Sequence, residues 1–178
     1  MDLYDFEGYK VYRATDFEFN DAYNITDGDG NPTFLEPYVQ NGVRAQWDLV
    51  NGKSGWHPVD LNGIKYYLGN ETGLVHSYVD NDVVNGQRYY YAVVSYDYGG
   101  DLTNNIIPSD SPMKLRVNPL TGAVSLGPNV VEVVPSPPSA GFVDASFAGD
   151  QVDHVAGSSS AEVFLSLIHI SEPTRQDR

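Results

Sequence analysis

The chain has 178 residues, of which 41% are hydrophobic and 19% charged, so it can build a core but carries less charge than most globular domains. Its formal net charge of −14, with only ten Lys and Arg residues, excludes the clustered basic surface that nucleic acids require. It contains no Cys, which excludes disulfide frameworks and cysteine-based metal sites.

The first predicted strand covers residues 8–14, Gly-Tyr-Lys-Val-Tyr-Arg-Ala. Its odd-numbered and even-numbered side chains would lie on opposite faces, because successive residues of a strand alternate. The strand begins only a few residues after Met1.

Residues 16–37 are rich in Asp, Asn and Gly and predict a long loop. Within it, Asp27, Asp29 and Asn31 place oxygen atoms at alternate positions, as calcium-binding loops do. The full EF-hand pattern is not met, because Pro32 stands at the sixth position, where Gly is required. Calcium is therefore one candidate ligand, and an acidic turn that binds no ion is the alternative.

Three Asn-Gly pairs follow, at residues 41–42, 51–52 and 62–63, and Asn-Gly is a strong signal for a tight hairpin turn. Each pair stands between short β-like pieces, so a series of hairpins is predicted. Residues 74–80, Leu-Val-His-Ser-Tyr-Val-Asp, predict a further strand. The β-like pieces around the Asn-Gly pairs are residues 38–39, 43–50, 57–61 and 64–68.

The most distinctive stretch is residues 89–97, Tyr-Tyr-Tyr-Ala-Val-Val-Ser-Tyr-Asp, which follows a fourth Asn-Gly pair. It contains neither Pro nor Gly and predicts a long strand. Apolar residues on both of its faces favour an interior position in a sheet. No helical periodicity of useful length appears, and strands spaced about 8–12 residues apart predict an all-β sandwich.

After a short predicted strand at residues 113–117, Pro, Ser and Gly become frequent. The first domain is therefore predicted to span residues 1–117. Residues 118–150 are interpreted as a Pro/Ser/Gly-rich linker that carries one strand. Residues 151–165 are interpreted as the start of a further module, and residues 166–178 as a non-native tail, because they resemble translated sequencing-adaptor read-through.

Three stretches carry a resemblance to fibronectin type III domains. Residues 5–13 resemble the third strand, C, together with its approach. Residues 72–80 resemble strand E, and residues 86–97 resemble the turn into strand F and strand F itself. The resemblance covers residues 1–117 and is greatest to fibronectin-like modules in long exported proteins of environmental bacteria.

The chain departs from the family pattern in two places. Only seven residues precede Gly8, where the family has strands A and B. Residues 15–73 are also much longer than the family's segment between strands C and E, which implies an insertion of hairpins. The resemblance therefore implies an incomplete sandwich of marginal stability, cut from a longer protein.

The resemblance also assigns roles within residues 89–97. It implies that Tyr89 is a tyrosine corner, whose hydroxyl bonds to backbone in the preceding connection. It further implies that Tyr91, Val93 and Ser95 face the core. The alternative is that Tyr89 is one aromatic residue among others in a half-buried strand.

Aromatic residues of the predicted insertion are the best clue to binding. Trp47, Trp56, Tyr66 and Tyr67 lie there, outside the predicted core strands. If they are exposed and coplanar, they would stack on sugar rings. If they are buried, they would form a small core of the insertion.

No catalytic constellation is evident. His57, His76, His154 and His169 are the only imidazoles, and none has metal-ligand spacing to another. Ser77 and Asp80 lie near His76, but the chain has no Gly-x-Ser-x-Gly turn for a nucleophilic serine. An enzyme is therefore not expected.

The predicted function is a non-catalytic spacer or adhesion module of an exported multidomain protein, outside the cell or at its surface, with the signal peptide outside this fragment. A carbohydrate-binding accessory module that uses the insertion's aromatic residues is the alternative. The expected partners are neighbouring domains of the parent chain and a surface protein or polysaccharide. Neither a nucleic acid nor a membrane span is expected, since no apolar run is long enough to cross a bilayer. No cofactor is expected other than calcium.

Overall fold

The computed structural model describes residues 5–103, 105–113 and 115–141. Their regular structure is almost entirely β, with one short 3₁₀ turn at Asn20–Ala22, and all of the strand pairs are antiparallel. The predicted all-β class is therefore confirmed. All of these strands lie in one compact unit, Met1–Ser136. The predicted module at 151–165 and tail at 166–178 lie outside the described residues.

Twelve strands occur in the described part of the chain, and most of them are short. They are β1 (Phe6–Ala14), β2 (Ile25–Thr26), β3 (Pro32–Phe34), β4 (Val39–Gln40), β5 (Val43–Arg44), β6 (Gln46–Asp48), β7 (Trp56–Leu61), β8 (Ile64–Tyr67), β9 (Tyr89–Asp97), β10 (Leu115–Val117), β11 (Val124–Leu126) and β12 (Val130–Val133).

The main sheet has four strands in the order β12-β9-β1-β6. The tyrosine-rich strand β9 therefore lies inside the sheet, between β12 and β1, and its predicted interior position is confirmed. It pairs with β1 along nearly the whole length of both strands, with Val93 opposite Val11 and Ala92 opposite Tyr12. The remaining strands form four two-stranded ribbons.

One face of the main sheet packs on the core, and it carries the even-numbered residues of β1 and β9. The opposite face is more open, and Val93 there is 51% exposed. The prediction that Tyr91, Val93 and Ser95 face the core is therefore wrong. The inversion arises because the apolar chain that covers the sheet, including Phe19 and Ala22, packs against the other side. The buried members of this core are Tyr12, Ala14, Phe19, Ala22, Tyr90, Ala92, Val94 and Val130.

Two of the predicted Asn-Gly hairpins are present. Asn41-Gly42 joins β4 to β5 and Asn62-Gly63 joins β7 to β8, and all four residues have positive φ, as a type I′ turn requires. The hairpin predicted at Asn51-Gly52 is wrong, because β6 and β7 on either side of it do not pair with each other. There the Asn51 amide instead donates a hydrogen bond to Glu7 at 3.1 Å.

The strand predicted at residues 74–80 is also absent, since this segment forms no ladder with a neighbour. Its residues have high β propensity, but a strand needs a partner for its backbone groups. Here side chains at its end hold the segment instead, through Asp80 and Tyr78.

The C-terminal part of the unit also differs from the sequence interpretation. Residues 118–136 do not form a linker, since β11 pairs with β10 and β12 forms one edge of the main sheet. Val130 of β12 is buried against this core. The compact unit therefore extends past the predicted boundary at residue 117, to Ser136.

Candidate functional site: an aromatic groove on the open sheet face

The open face of the main sheet carries a row of apolar side chains from three adjacent strands. Tyr9 of β1 lies between Trp47 of β6 and Ser95 of β9, and Val11 lies opposite Val93 in the register. These residues share one face because each paired position in antiparallel strands points to the same side of a sheet. The row therefore follows directly from the register of the sheet.

A groove of about 210 Å³ runs between this row and the irregular segment 75–78. This volume is below the roughly 300–1,000 Å³ of pockets that enclose drug-sized ligands, so the groove suits a single ring or one large side chain. Most of its surface is apolar, with His76 and Ser77 as polar groups at its wall. Its lining residues are Tyr9, Val11, Trp47, Val75, His76, Ser77, Tyr78 and Val93.

The wall segment is tied to the sheet through Asp80. Arg13 of β1 donates a hydrogen bond to the Asp80 carboxylate at 2.9 Å, and the Tyr91 hydroxyl donates another at 2.7 Å. Burial raises the pKa of Asp80, but the bonds from Tyr91, the Asp82 N–H and Arg13 outweigh it and hold that pKa below its usual value. The carboxylate is thus ionised at neutral pH and fixes the wall in place.

Aromatic contacts shape the other end of the wall. The Trp47 and Tyr78 rings have centroids 5.4 Å apart and are inclined at 60°. The Tyr78 hydroxyl donates a hydrogen bond to Gln40 at 2.9 Å, and Tyr38 packs edge-on at 6.5 Å. The Tyr38 ring in turn packs against the Arg13 guanidinium, whose Cζ lies 3.8 Å from the ring centroid. Because the Trp47 and Tyr78 rings are inclined to each other, a flat ligand ring can stack on only one of them.

The edge strand that carries Trp47 is anchored by a buried carboxylate. Asp48 is fully buried and accepts hydrogen bonds at 2.5 Å from the Glu71 N–H and at 2.7 Å from both the N–H and the hydroxyl of Thr72. This fixes β6 to the chain that follows the β7–β8 hairpin. The backbone at Trp47 is therefore held by pairing with β1 and by the bonds that Asp48 accepts from Glu71 and Thr72.

The four aromatic residues predicted from sequence do not form one site. Trp47 lines the groove, whereas Trp56 and Tyr67 face each other across the β7–β8 hairpin. Tyr66 is only 5% exposed and packs on Tyr96, so it belongs to the core and has no surface for a ligand. The expectation of a coplanar platform is not met, because the Trp56 and Tyr67 rings are inclined at 63°.

The Trp56–Tyr67 pair is the second exposed aromatic feature. Trp56 is 60% exposed, and its ring centroid lies 5.0 Å from that of Tyr67. The Tyr67 hydroxyl donates a hydrogen bond to Asn70 at 2.6 Å. The pair lies on a two-stranded ribbon and has no wall segment of the kind that faces Trp47.

Sequence reasoning missed Tyr9 and Tyr78 as groove residues. The alternation of residues 8–14 placed Tyr9 on one face with Val11, but it did not show which face would stay open. Tyr78 lay in the segment predicted to be a strand, where its side chain would have joined a sheet face. The sequence contained no local signal that these rings would meet Trp47.

The predicted calcium loop is a hydrogen-bonded turn in the β2–β3 ribbon. The Asp27 carboxylate accepts bonds from the Asp29 N–H at 3.0 Å and from the Asn31 N–H at 2.8 Å and side-chain amide at 3.0 Å. These bonds, led by that from the Asn31 side chain, lower the pKa of Asp27. Asp27 thus closes the turn through these N–H donors, and calcium binding by Asp27, Asp29 and Asn31 stays a prediction. Across the described ranges, no three acidic or histidine side chains converge in a way that could hold a metal.

The candidate catalytic residues are also separated. Asp80, which lies near His76 and Ser77 in the sequence, accepts hydrogen bonds from Arg13 and Tyr91. His57 is fully buried and bonds through Nε2 to the Gly100 carbonyl at 2.7 Å and through Nδ1 to the Val59 N–H at 3.2 Å. His154 and His169 lie outside the described residues.

Tyr89 is 6% exposed, and its hydroxyl oxygen accepts a hydrogen bond from the Val84 N–H at 3.0 Å. The bond reaches five residues back along the chain, into the connection before β9. It thus holds the turn at residues 85–86 against the start of the strand.

A scan against protein-family models finds no match, and searches of the curated proteins and of the solved structures find no significant match. Among the residues that the structure describes, none forms a helix with the length and apolar character that crossing a bilayer requires.

Proposed function

We propose that this chain is a non-catalytic interaction module, a spacer or adhesion domain of an exported multidomain protein, with an immunoglobulin-like arrangement of the fibronectin type III kind. The observation that carries the proposal is the interior position of β9. It pairs with β1 along nearly its whole length on one side and with β12 through Tyr89–Ala92 on the other. A sheet of this kind supports neighbouring domains and presents a surface.

The order of the strands supports the fibronectin-like assignment. Strands C, F and G are neighbours in one sheet of an immunoglobulin-like sandwich, and β1, β9 and β12 have the same adjacency. The Tyr89 contact with the upstream backbone is of the kind that a tyrosine corner makes. The open face would then be the one that a second sheet covers in a complete sandwich.

A spacer must resist extension as a unit, and this can be measured on the full chain held between two reference domains. We expect one cooperative rupture under force, because pulling the chain apart must separate β9 from both of its neighbours. Gradual lengthening without a rupture peak would contradict the spacer proposal.

A carbohydrate-binding role is the second candidate, and the groove at Trp47 favours it. Aromatic faces with nearby polar groups at His76 and Ser77 suit a sugar ring, which has both apolar C–H faces and hydroxyls. The groove has room for one ring, so the expected ligand is a single residue of a polysaccharide or its chain end.

A glycan array with matched variants tests this candidate. Trp47→Ala should abolish binding, whereas Trp56→Ala should preserve it, because Trp56 lies on the separate β7–β8 ribbon. Loss of binding only in Trp56→Ala would move the site to the ribbon. An array on which the full chain binds no glycan would leave the spacer role as the sole proposal.

A further inference from the structure

A cluster of polar side chains lies within the buried side of the main sheet, away from the groove. Lys10 of β1 is 4% exposed and lies opposite Val94 of β9. Its amine contacts the Tyr66 hydroxyl and the Asp110 carboxylate, and the Tyr12 hydroxyl bonds to the same carboxylate. Lys10 and Asp110 are 100 residues apart in the chain.

The contacts connect the amine to the carboxylate by two routes. The Lys10 Nζ donates hydrogen bonds to the Tyr66 hydroxyl at 2.5 Å and to Asp110 Oδ1 at 3.2 Å. The Tyr66 hydroxyl donates its own proton to the same Oδ1. The Tyr12 hydroxyl donates to Oδ2 at 2.5 Å. One phenol therefore bridges the amine and the carboxylate, and a second holds the other carboxylate oxygen.

Two ring faces and a carboxylate favour the charged form of the amine, and its burial opposes them. Its nitrogen lies 3.8 Å from the ring centroid of Tyr66 and 4.8 Å from that of Tyr96. Burial lowers the pKa of Lys10 to about 8, although the Asp110 charge opposes this. Burial also raises the pKa of the Tyr12 and Tyr66 hydroxyls, so both phenols keep their protons and remain donors.

We propose that Lys10 and Asp110 condense to form an intramolecular amide bond inside the folded unit. The new bond joins Lys10 Nζ to Asp110 Cγ, and the Cγ–Oδ1 bond breaks. Ammonium and carboxylate become a neutral amide and one water, which takes its oxygen from Oδ1 and two protons from the ammonium. No oxidation or reduction occurs, so no co-reactant is required.

The Tyr66 hydroxyl is placed to carry the proton between the two groups. It accepts a hydrogen bond from Nζ and donates one to Oδ1, so it can pass one proton from the ammonium to Oδ1 before the neutral amine attacks Cγ. The second proton follows the same path as the Cγ–Oδ1 bond breaks and water leaves. The Tyr12 hydroxyl donates to Oδ2, where negative charge develops as the nitrogen attacks Cγ. Each atom of the reaction thus has a neighbour suited to its role.

The buried position also provides a driving force and an exit. A buried ammonium beside a partly buried carboxylate carries a desolvation penalty, and condensation removes both charges. The Asp110 side chain is 24% exposed, next to a surface cleft lined by Ser95 and Ser109, so the released water can leave.

The amide would tie β1 to the segment that bridges β9 at Tyr96. It would close a loop across 100 residues and remove about 340 Å from the length that the chain can release when pulled. This inference goes beyond the proposed function and does not depend on it.

Mass spectrometry of the denatured full chain, kept at pH 8 after purification, tests the proposal. We expect wild-type protein to be lighter than its sequence by one water, and Asp110→Ala and Lys10→Arg to have their full sequence masses. Tryptic digestion should give a branched species that joins residues 1–13 to residues 89–114. A wild-type chain at its full sequence mass would overturn the proposal.

Two further outcomes would also overturn it. Loss of water that maps to the Asp27-Gly28 pair, where succinimide forms, would leave the two tryptic peptides unjoined. Loss of water that persists in Asp110→Ala would exclude Asp110 as the reacting group.

Tyr66→Phe keeps the ring and removes only the bridging hydroxyl, so it should slow the appearance of the branched species at least tenfold. An unchanged rate in this variant would contradict the relay.

Discussion

Gly8 of β1 lies too close to β6 for a side chain, and this yields a sharp prediction. A Cβ atom added there would lie 2.1 Å from the Trp47 carbonyl oxygen and 2.9 Å from the Tyr96 ring. The first contact is with backbone, which cannot rotate away, so Gly8→Ala must push β6 from β1. This change perturbs the strand that carries Trp47 by adding a single methyl group.

The two opposing contributions to stability can be weighed. Overpacking a filled site costs about 1–3 kcal/mol, and the severity of the backbone contact places Gly8 near the upper value. Replacing Gly by Ala gains about 0.4–1 kcal/mol by reducing the entropy of the unfolded chain. The steric cost is larger, so Gly8→Ala should lower the free energy of unfolding by about 2 kcal/mol.

Urea denaturation of the full chain, followed by tryptophan fluorescence and circular dichroism, measures this difference. Gly28→Ala is the matched control, because a Cβ at Gly28 meets nothing within 4 Å. The control should be neutral or slightly stabilising. A Gly8→Ala variant as stable as Gly28→Ala would refute the packing of β1 against β6.

Three other changes test separate parts of the fold. Asp48→Ala removes the acceptor of the three bonds from Glu71 and Thr72 and should lower the free energy of unfolding by about 3 kcal/mol or more, measured in urea; a loss below about 1 kcal/mol would contradict the anchoring of β6. Tyr89→Phe removes only the bond from the Val84 N–H and should cost about 0.5–1.5 kcal/mol, and a neutral result would exclude a stabilising role for that bond. Burial raises the pKa of Glu7, so its ionisation destabilises the fold as the pH rises above the ordinary value of 4.5. Glu7→Gln should therefore raise the melting temperature at pH 7 and lose this advantage at pH 3, whereas a gain of equal size at both pH values would contradict the burial of charge.

The interior position of β9 could be predicted from sequence because its composition is local information. Apolar residues occur on both faces of the strand, and this favours a position with a neighbouring strand on each side. Because both faces of β9 carry apolar residues, the sequence did not indicate which face is buried. Tyr91 and Val93 are as apolar as Ala92 and Val94, so the choice depended on where the covering chain at Phe19 packs.

Other features depended on partners far along the chain. Residues 74–80 have β-forming side chains, but strand formation requires an adjacent free edge, which sequence periodicity does not reveal. Asn51-Gly52 carries a turn signal, yet the pieces beside it pair with other strands or ribbons. The Lys10–Asp110 contact joins residues 100 positions apart and has no local pattern at all.

For the candidate groove, the sequence could indicate the type of side chain involved but not which residues would meet. The sequence singled out aromatic residues of the insertion, either for sugar stacking or as a small core, and one of them, Trp47, lines the groove. Trp47 meets Tyr9 through the β1–β6 register and Tyr78 through the tethered wall segment, and both depend on tertiary structure. Tyr66 alternates with Tyr67 on one ribbon, and only packing on Tyr96 decided which of the two is buried.

Hydrogen–deuterium exchange tests the placement of β9 most directly. With β1 and β12 bonded to its two sides, the amides of Tyr89–Asp97 should exchange most slowly among the described strands, and those of residues 74–80 should exchange rapidly. If the Tyr89–Asp97 amides exchanged as fast as those of residues 74–80, the strand would lie outside the sheet, and the proposed supporting role of the module would fall with it.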